Sequence, residues 1–133
     1  MPVGITPMKK MIRLSLLINI AVLVPVCWGL LVNATWAIDS YGAETAARGI
    51  LLSMYGAILL VSMLLLFSRE LMFVVPLLLV QVIYKLSTPF TVGSFSNPVV
   101  ISNIAIAAVH IATLTMILRE SRWSAQKLTV TGL

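Results

Sequence analysis

The chain has 133 residues, 60% of them hydrophobic and only 10% charged, with a mean hydropathy of +1.08. That lies outside the composition of soluble domains, and four apolar runs of about 18–20 residues, each long enough to cross a bilayer as a helix, account for it. The net charge of +5 does not mark a nucleic-acid partner, because the cations flank the apolar runs instead of forming one patch.

Residues 1–13 read as a basic lead-in carrying Lys9, Lys10 and Arg13, with Pro2, Gly4 and Pro7 opposing helix until about Met8. The first span is expected over residues 14–32. It is longer than the apolar region of a signal peptide, so it reads as a retained helix. Pro25 inside it removes a backbone donor and predicts a kink over residues 21–25. Asn19 is its one strongly polar side chain, and Trp28 and Trp36 bracket its far end as an aromatic belt. Residues 33–48 form the longest connection, with Asp39, Glu44 and Arg48. Tyr41-Gly42 is a turn signal there, and Thr45 is a candidate N-cap for the next helix. The triplet Asn33-Ala34-Thr35 matches a glycosylation sequon but abuts the membrane and carries little weight.

The second span is expected over residues 46–67. Gly49, Ser53 and Ala57 recur every four residues with Gly56 beside them, which predicts a face packed closely against another helix, of the same chain in the plainer reading and of a second copy in the alternative. Ser68-Arg69-Glu70 is so short a link that spans two and three must form an antiparallel hairpin. The third span, 71–88, has Pro76 in its second turn. It carries Gln81, Tyr84, Lys85 and Thr88 at i, i+3, i+4 and i+7, one helix face. A polar stripe with a cation must face protein or water, since lipid cannot satisfy it. Residues 88–98 read as a turn-rich loop, 99–118 as the fourth span, and 119–133 as a tail beginning at the interface with Arg119, Glu120, Arg122 and Trp123.

Asn103 and His110 are i and i+7 on the fourth span. At 1.5 Å rise per residue, Lys85 and Asn103 lie at matching depth, roughly 5–6 Å inside the ends of their helices. Gln81 is about one turn deeper and His110 is near the midplane. The arithmetic permits one polar cluster of Gln81, Tyr84, Lys85, Asn103 and His110, the candidate ligand-binding residues. Each has a blander reading: Lys85 snorkelling to the interface, His110 a hydrogen-bonded packing residue, and Gln81 glue between helices.

No carboxylate falls inside any span, which argues against a proton-coupled pump. One His and one Cys cannot form an ordinary zinc, haem-pair or di-iron site, and Cys27 alone excludes an intramolecular disulfide. No phosphate-binding glycine loop, nucleophile elbow or carboxylate pair is present. The expectation is a non-enzymatic protein with no catalytic residue, metal or cofactor. Of the nine Lys and Arg, only Arg48 and Lys85 lie towards the inter-span side opposite the termini. The positive-inside rule therefore predicts cytoplasmic N- and C-termini.

The run Ala47-Arg48-Gly49 followed by Tyr55-Gly56 and a tight hairpin resembles the DoxX-like small four-helix membrane proteins, as does the layout of four spans with short termini. The resemblance implies an all-α, four-helix membrane-embedded bundle; no functional residue is carried over from it. The expected role is an accessory or structural subunit of a larger complex, or a homo-oligomer, in the bilayer of a bacterial inner membrane. The alternative is a small carrier or binder of a lipophilic ligand such as a quinone, lipid or pigment.

Overall fold

Small polar caps and prolines set the helix starts. The computed structural model describes residues 6–132. Helix α1 (Pro7–Leu31) begins where the Thr6 hydroxyl accepts from the Lys9 N–H at 3.3 Å, with Pro7 as the first helical residue. Proline suits that position, because its missing N–H would have had no intrahelical partner. The basic segment from Pro7 is therefore helical, seven residues earlier than the hydropathy predicts; Pro2 and Gly4 lie outside the described residues. The helix runs unbroken through Pro25.

Thr45 caps α3 (Ala46–Leu66) as its sequence context predicts, accepting from the Arg48 N–H at 3.2 Å. A single 3₁₀ turn, Leu71–Phe73, leads into α4 (Val74–Val92). Pro76 sits in the first turn of α4, where no intrahelical donor is needed. Helix α4 continues one turn past the expected end, through Pro89, and closes at Gly93, whose φ of 71° is a left-handed conformation that glycine adopts without strain. Pro89 cannot donate to the carbonyl of Lys85; the Thr88 hydroxyl does so instead at 2.7 Å. That substitution lets a proline stay inside the helix.

Helix α5 (Pro98–Val130) starts with Pro98 after an Asn97 cap that accepts from the Val99 N–H at 2.8 Å. Its 33 residues correspond to about 50 Å, well beyond the ~30 Å hydrocarbon core. The segment read as a tail is therefore a continuation of the helix. Residues 119–130 contain neither Pro nor Gly, and Lys127 lies over the Trp123 ring one turn away at 3.6 Å.

Four of the helices are long and apolar enough to span a membrane, and with the fifth they make an all-α bundle of four spans. Helix α1 packs along α3, α4 packs along α5, and the α1–α5 seam joins the two pairs. Helices α3 and α4, although joined by a short link, are not a close pair, so the packed hairpin expected of spans two and three is not formed; each packs instead against its own partner, α1 and α5. Ile12, Leu16, Leu65, Val74, Leu78 and Ile117 form the core at the end that carries the termini. Leu23, Cys27, Leu30, Ala37 and Tyr55 form it at the opposite end. Because lipid is as apolar as leucine, these clusters stabilise by close contact more than by water exclusion.

A fifth helix, α2 (Thr35–Tyr41), lies within the connection that the sequence left irregular. It is seated by contact. The Trp36 indole covers Gly29 so closely that any β-carbon there would collide with it. Ala37 is fully buried, Tyr41 meets Tyr55 edge to face with ring centroids 6.1 Å apart, and Asn97 Nδ2 donates to the Ser40 carbonyl at 3.3 Å.

The small-residue row on α3 is a correction. Gly49, Ser53 and Ala57 are exposed, and a β-carbon on Gly49 or Gly56 would meet nothing within 4 Å. The buried face of α3 is instead Arg48, Tyr55, Ser62 and Leu65. Spacing alone identified a possible close-approach face, but the larger side chains of the opposite face fill the bundle.

Candidate functional site

Arg48 is 6% exposed, although it reads in the sequence as an ordinary loop-flanking cation. Its guanidinium donates to the Gly42 carbonyl at 2.8 Å, the Leu30 carbonyl at 3.4 Å and the Asn33 carboxamide oxygen. Asn33 Nδ2 in turn donates to Glu44 Oε2 at 2.9 Å. The planar fork suits this task, reaching the end of α1 and the loop before α3 at once. Arg48 thereby fixes the frame over which α2 lies. The sequon Asn33 is engaged on both sides of its amide.

Beneath α2, Lys85 projects from α4 into the bundle and is 4% exposed. Its ammonium donates to Asn103 Oδ1 of α5 at 3.1 Å and sits 4.8 Å from the centroid of the Tyr84 ring. Asn103 Nδ2 donates to the Thr88 hydroxyl at 3.4 Å. The matched depths of Lys85 and Asn103 are thus realised as a direct contact, and the snorkelling geometry is not. All four acidic residues, Asp39, Glu44, Glu70 and Glu120, are exposed. The buried ammonium is held by a neutral amide and an aromatic face alone. Burying a cation on such partners is costly.

Two cavities adjoin this group, about 180 and 330 Å³ in volume. The first has Lys85, Asn103 and Trp36 in its wall and lies between α1, α2 and α5. The second has Tyr84, Thr88 and Asn103 in its wall and occupies the crevice left where α3 and α4 fail to pack closely. Tyr41, Tyr55 and Asn103 are common to both. Burial pushes the Tyr41 phenol above its ordinary pKa, reinforced by the neighbouring Tyr55, so it remains a neutral hydroxyl. Tyr84 Oη is buried without a hydrogen-bond partner.

His110 does not join Lys85. It is fully buried in a separate network at the middle of the bundle, with Nδ1 3.1 Å from Ser15 Oγ and Nε2 3.0 Å from Asn19 Oδ1. Asn19 Nδ2 donates to Ser62 Oγ of α3 at 3.0 Å, and Ser15 Oγ lies 2.7 Å from Thr113 Oγ1 of α5. An amide oxygen only accepts, so Nε2 carries the hydrogen of the neutral ring and Nδ1 accepts from Ser15; the Thr113 hydroxyl also reaches the Val109 carbonyl at 3.1 Å. These contacts link five residues and tie α1, α3 and α5 together. Gln81, 1% exposed, has neither amide atom paired.

The five predicted site residues therefore separate. Lys85, Asn103 and Tyr84 come together, His110 belongs to the second network, and Gln81 hydrogen-bonds to neither. Ser15, Ser62, Thr113 and Arg48 escaped the sequence reading. The i, i+4 pair Ser15–Asn19 on α1 was the signal available for the first of these, since two polar side chains on one face of a span need a protein partner.

No protein-family model, curated protein or solved structure matches this chain. The DoxX-like resemblance rests on the residues quoted for it.

Proposed function

We propose that this protein is a non-enzymatic membrane binder of a small lipophilic ligand, with the ligand's polar head in the cavities beneath α2. The observation that carries this reading is Lys85, buried in a cavity wall with a neutral amide as its hydrogen-bond partner and all acidic side chains exposed. A membrane cation of this kind marks a functional position more often than a packing one. The unpaired hydroxyl of Tyr84, a residue in the wall of the adjoining cavity, supplies a second group for a ligand. The crevice between α3 and α4 supplies lateral access for an apolar tail.

A second reading, an accessory subunit of a larger complex or a homo-oligomer, draws on a different surface. The exposed Gly49, Ser53 and Ala57 row offers a close-approach face that this chain does not itself cover. We place the protein in a bacterial inner membrane with cytoplasmic termini, on the strength of its basic flanks. Native mass spectrometry after mild-detergent extraction separates the two roles. A retained small molecule lost in Lys85→Met supports the binder, and stoichiometric protein partners without one support the subunit. Labelling of Ser94→Cys, in a Cys27→Ser background, from the cytoplasmic side alone would overturn the orientation.

A further inference from the structure

We infer that the head group taken by this cavity is a carboxylate, so that the ligand is a lipophilic acid of the long-chain fatty-acid class; this rests on the ligand-binding reading above. The argument is a count of donors and acceptors. An ammonium has three N–H donors, and one of those on Lys85 is spent on Asn103 Oδ1. The Tyr84 hydroxyl is a further donor without a partner. The Asn103 carboxamide is used on both sides, its oxygen by Lys85 and its nitrogen by Thr88. The Thr88 hydroxyl is likewise occupied, donating to the Lys85 carbonyl while accepting from Asn103. Gln81, also unpaired, is in the wall of neither cavity. The unused capacity of the ammonium itself is donor capacity, the Tyr84 hydroxyl can donate as well as accept, and the local charge is positive with no acidic side chain buried.

A carboxylate answers both needs, bringing one negative charge and two oxygens that accept several hydrogen bonds. An alcohol brings no charge, a quinone carbonyl accepts without neutralising, and an amine is repelled. The size of the site fits the head and first part of a chain. The head sits by Lys85 in the smaller cavity, about 180 Å³. That cavity shares Asn103 with the larger one, about 330 Å³, which is bordered by Tyr84 and is at the small end of ordinary ligand pockets, roughly 300–1,000 Å³. The wall of the larger cavity includes Leu51 and Val92, and the crevice between α3 and α4 leads an alkyl tail out among the exposed side chains of those helices.

The test is native mass spectrometry on the full chain in a mild detergent, incubated in parallel with palmitate, hexadecanol and a short-chain ubiquinone. One palmitate should be retained, with hexadecanol and the quinone bound at least tenfold more weakly. Lys85→Met should reduce palmitate retention at least tenfold, and Lys85→Arg should keep most of it. Tyr84→Phe, which removes only the unpaired hydroxyl, should weaken palmitate severalfold, and it provides the reading if Lys85→Met does not fold. Hexadecanol or quinone retained as well as palmitate would overturn the carboxylate assignment while leaving a ligand site in place. So would palmitate retention untouched by every one of these substitutions. Retention of none of the three compounds would overturn the ligand-binding reading itself.

Discussion

Replacing His110 with Leu tests whether the central polar network holds the bundle together or merely occupies it. Leu is close to His in volume, so the change deletes hydrogen bonds with little change in packing. Two contacts are lost, Nδ1 to Ser15 at 3.1 Å and Nε2 to Asn19 Oδ1 at 3.0 Å. The consequences differ. Ser15 keeps Thr113 at 2.7 Å, and its hydroxyl can turn towards it. Asn19 Oδ1 is left with no donor at a residue 2% exposed. Leaving a buried acceptor unpaired costs about 1–3 kcal/mol, and hydrogen bonds between membrane helices average about 0.6 and reach about 1.7 kcal/mol each. His110→Leu should therefore destabilise by about 1–3 kcal/mol. Asn19→Leu should do the same, because it strands the His110 N–H and frees Ser62. The double variant removes both ends of the contact, and loss of both partners is far cheaper than loss of one. It should be more stable than the sum of the singles predicts, by about 1 kcal/mol. Equilibrium unfolding in mixed lipid–detergent micelles, driven by sodium dodecyl sulfate, measures all three. Additivity within about 0.3 kcal/mol would refute a coupled network.

Gly29→Ala should destabilise by about 1–3 kcal/mol, since the added methyl drives into the Trp36 indole; thermal unfolding in detergent is the measurement. Gly49→Ala, facing open space, should leave stability unchanged or raise it by up to about 1 kcal/mol through helix propensity. Ser53→Leu and Ala57→Leu should be tolerated in the isolated chain, both positions being exposed, as judged by monodisperse yield in size-exclusion chromatography. Arg48→Leu removes charged hydrogen bonds worth about 1.5–3 kcal/mol each. It should release the loop that Arg48 holds at Gly42, seen as faster proteolysis between Gly42 and Thr45.

The four spans and the Thr45 cap were legible because each depends on local sequence: apolar length and a hydroxyl before a helix. The short link between α3 and α4 was legible as well, but it did not decide their packing, because each helix packs against a different partner. The matching depths of Lys85 and Asn103 were legible too, because helical rise is constant and the two helices are joined by a short turn. Helix ends were less so. Hydropathy marks where lipid begins, whereas Thr6, Pro7 and Gly93 decide where backbone hydrogen bonding starts and stops. Rotation of each helix about its own axis is a property of the assembled bundle. It turned Gly49, Ser53 and Ala57 outward, aimed His110 at Ser15 and Asn19 instead of Lys85, and buried Arg48 under α2. A single span presents several plausible faces, and only the partners that fill the bundle decide which one is used. The sequence alone therefore determined that a cation lies in the membrane region, and tertiary packing decided what it touches: an amide, an aromatic ring and a cavity.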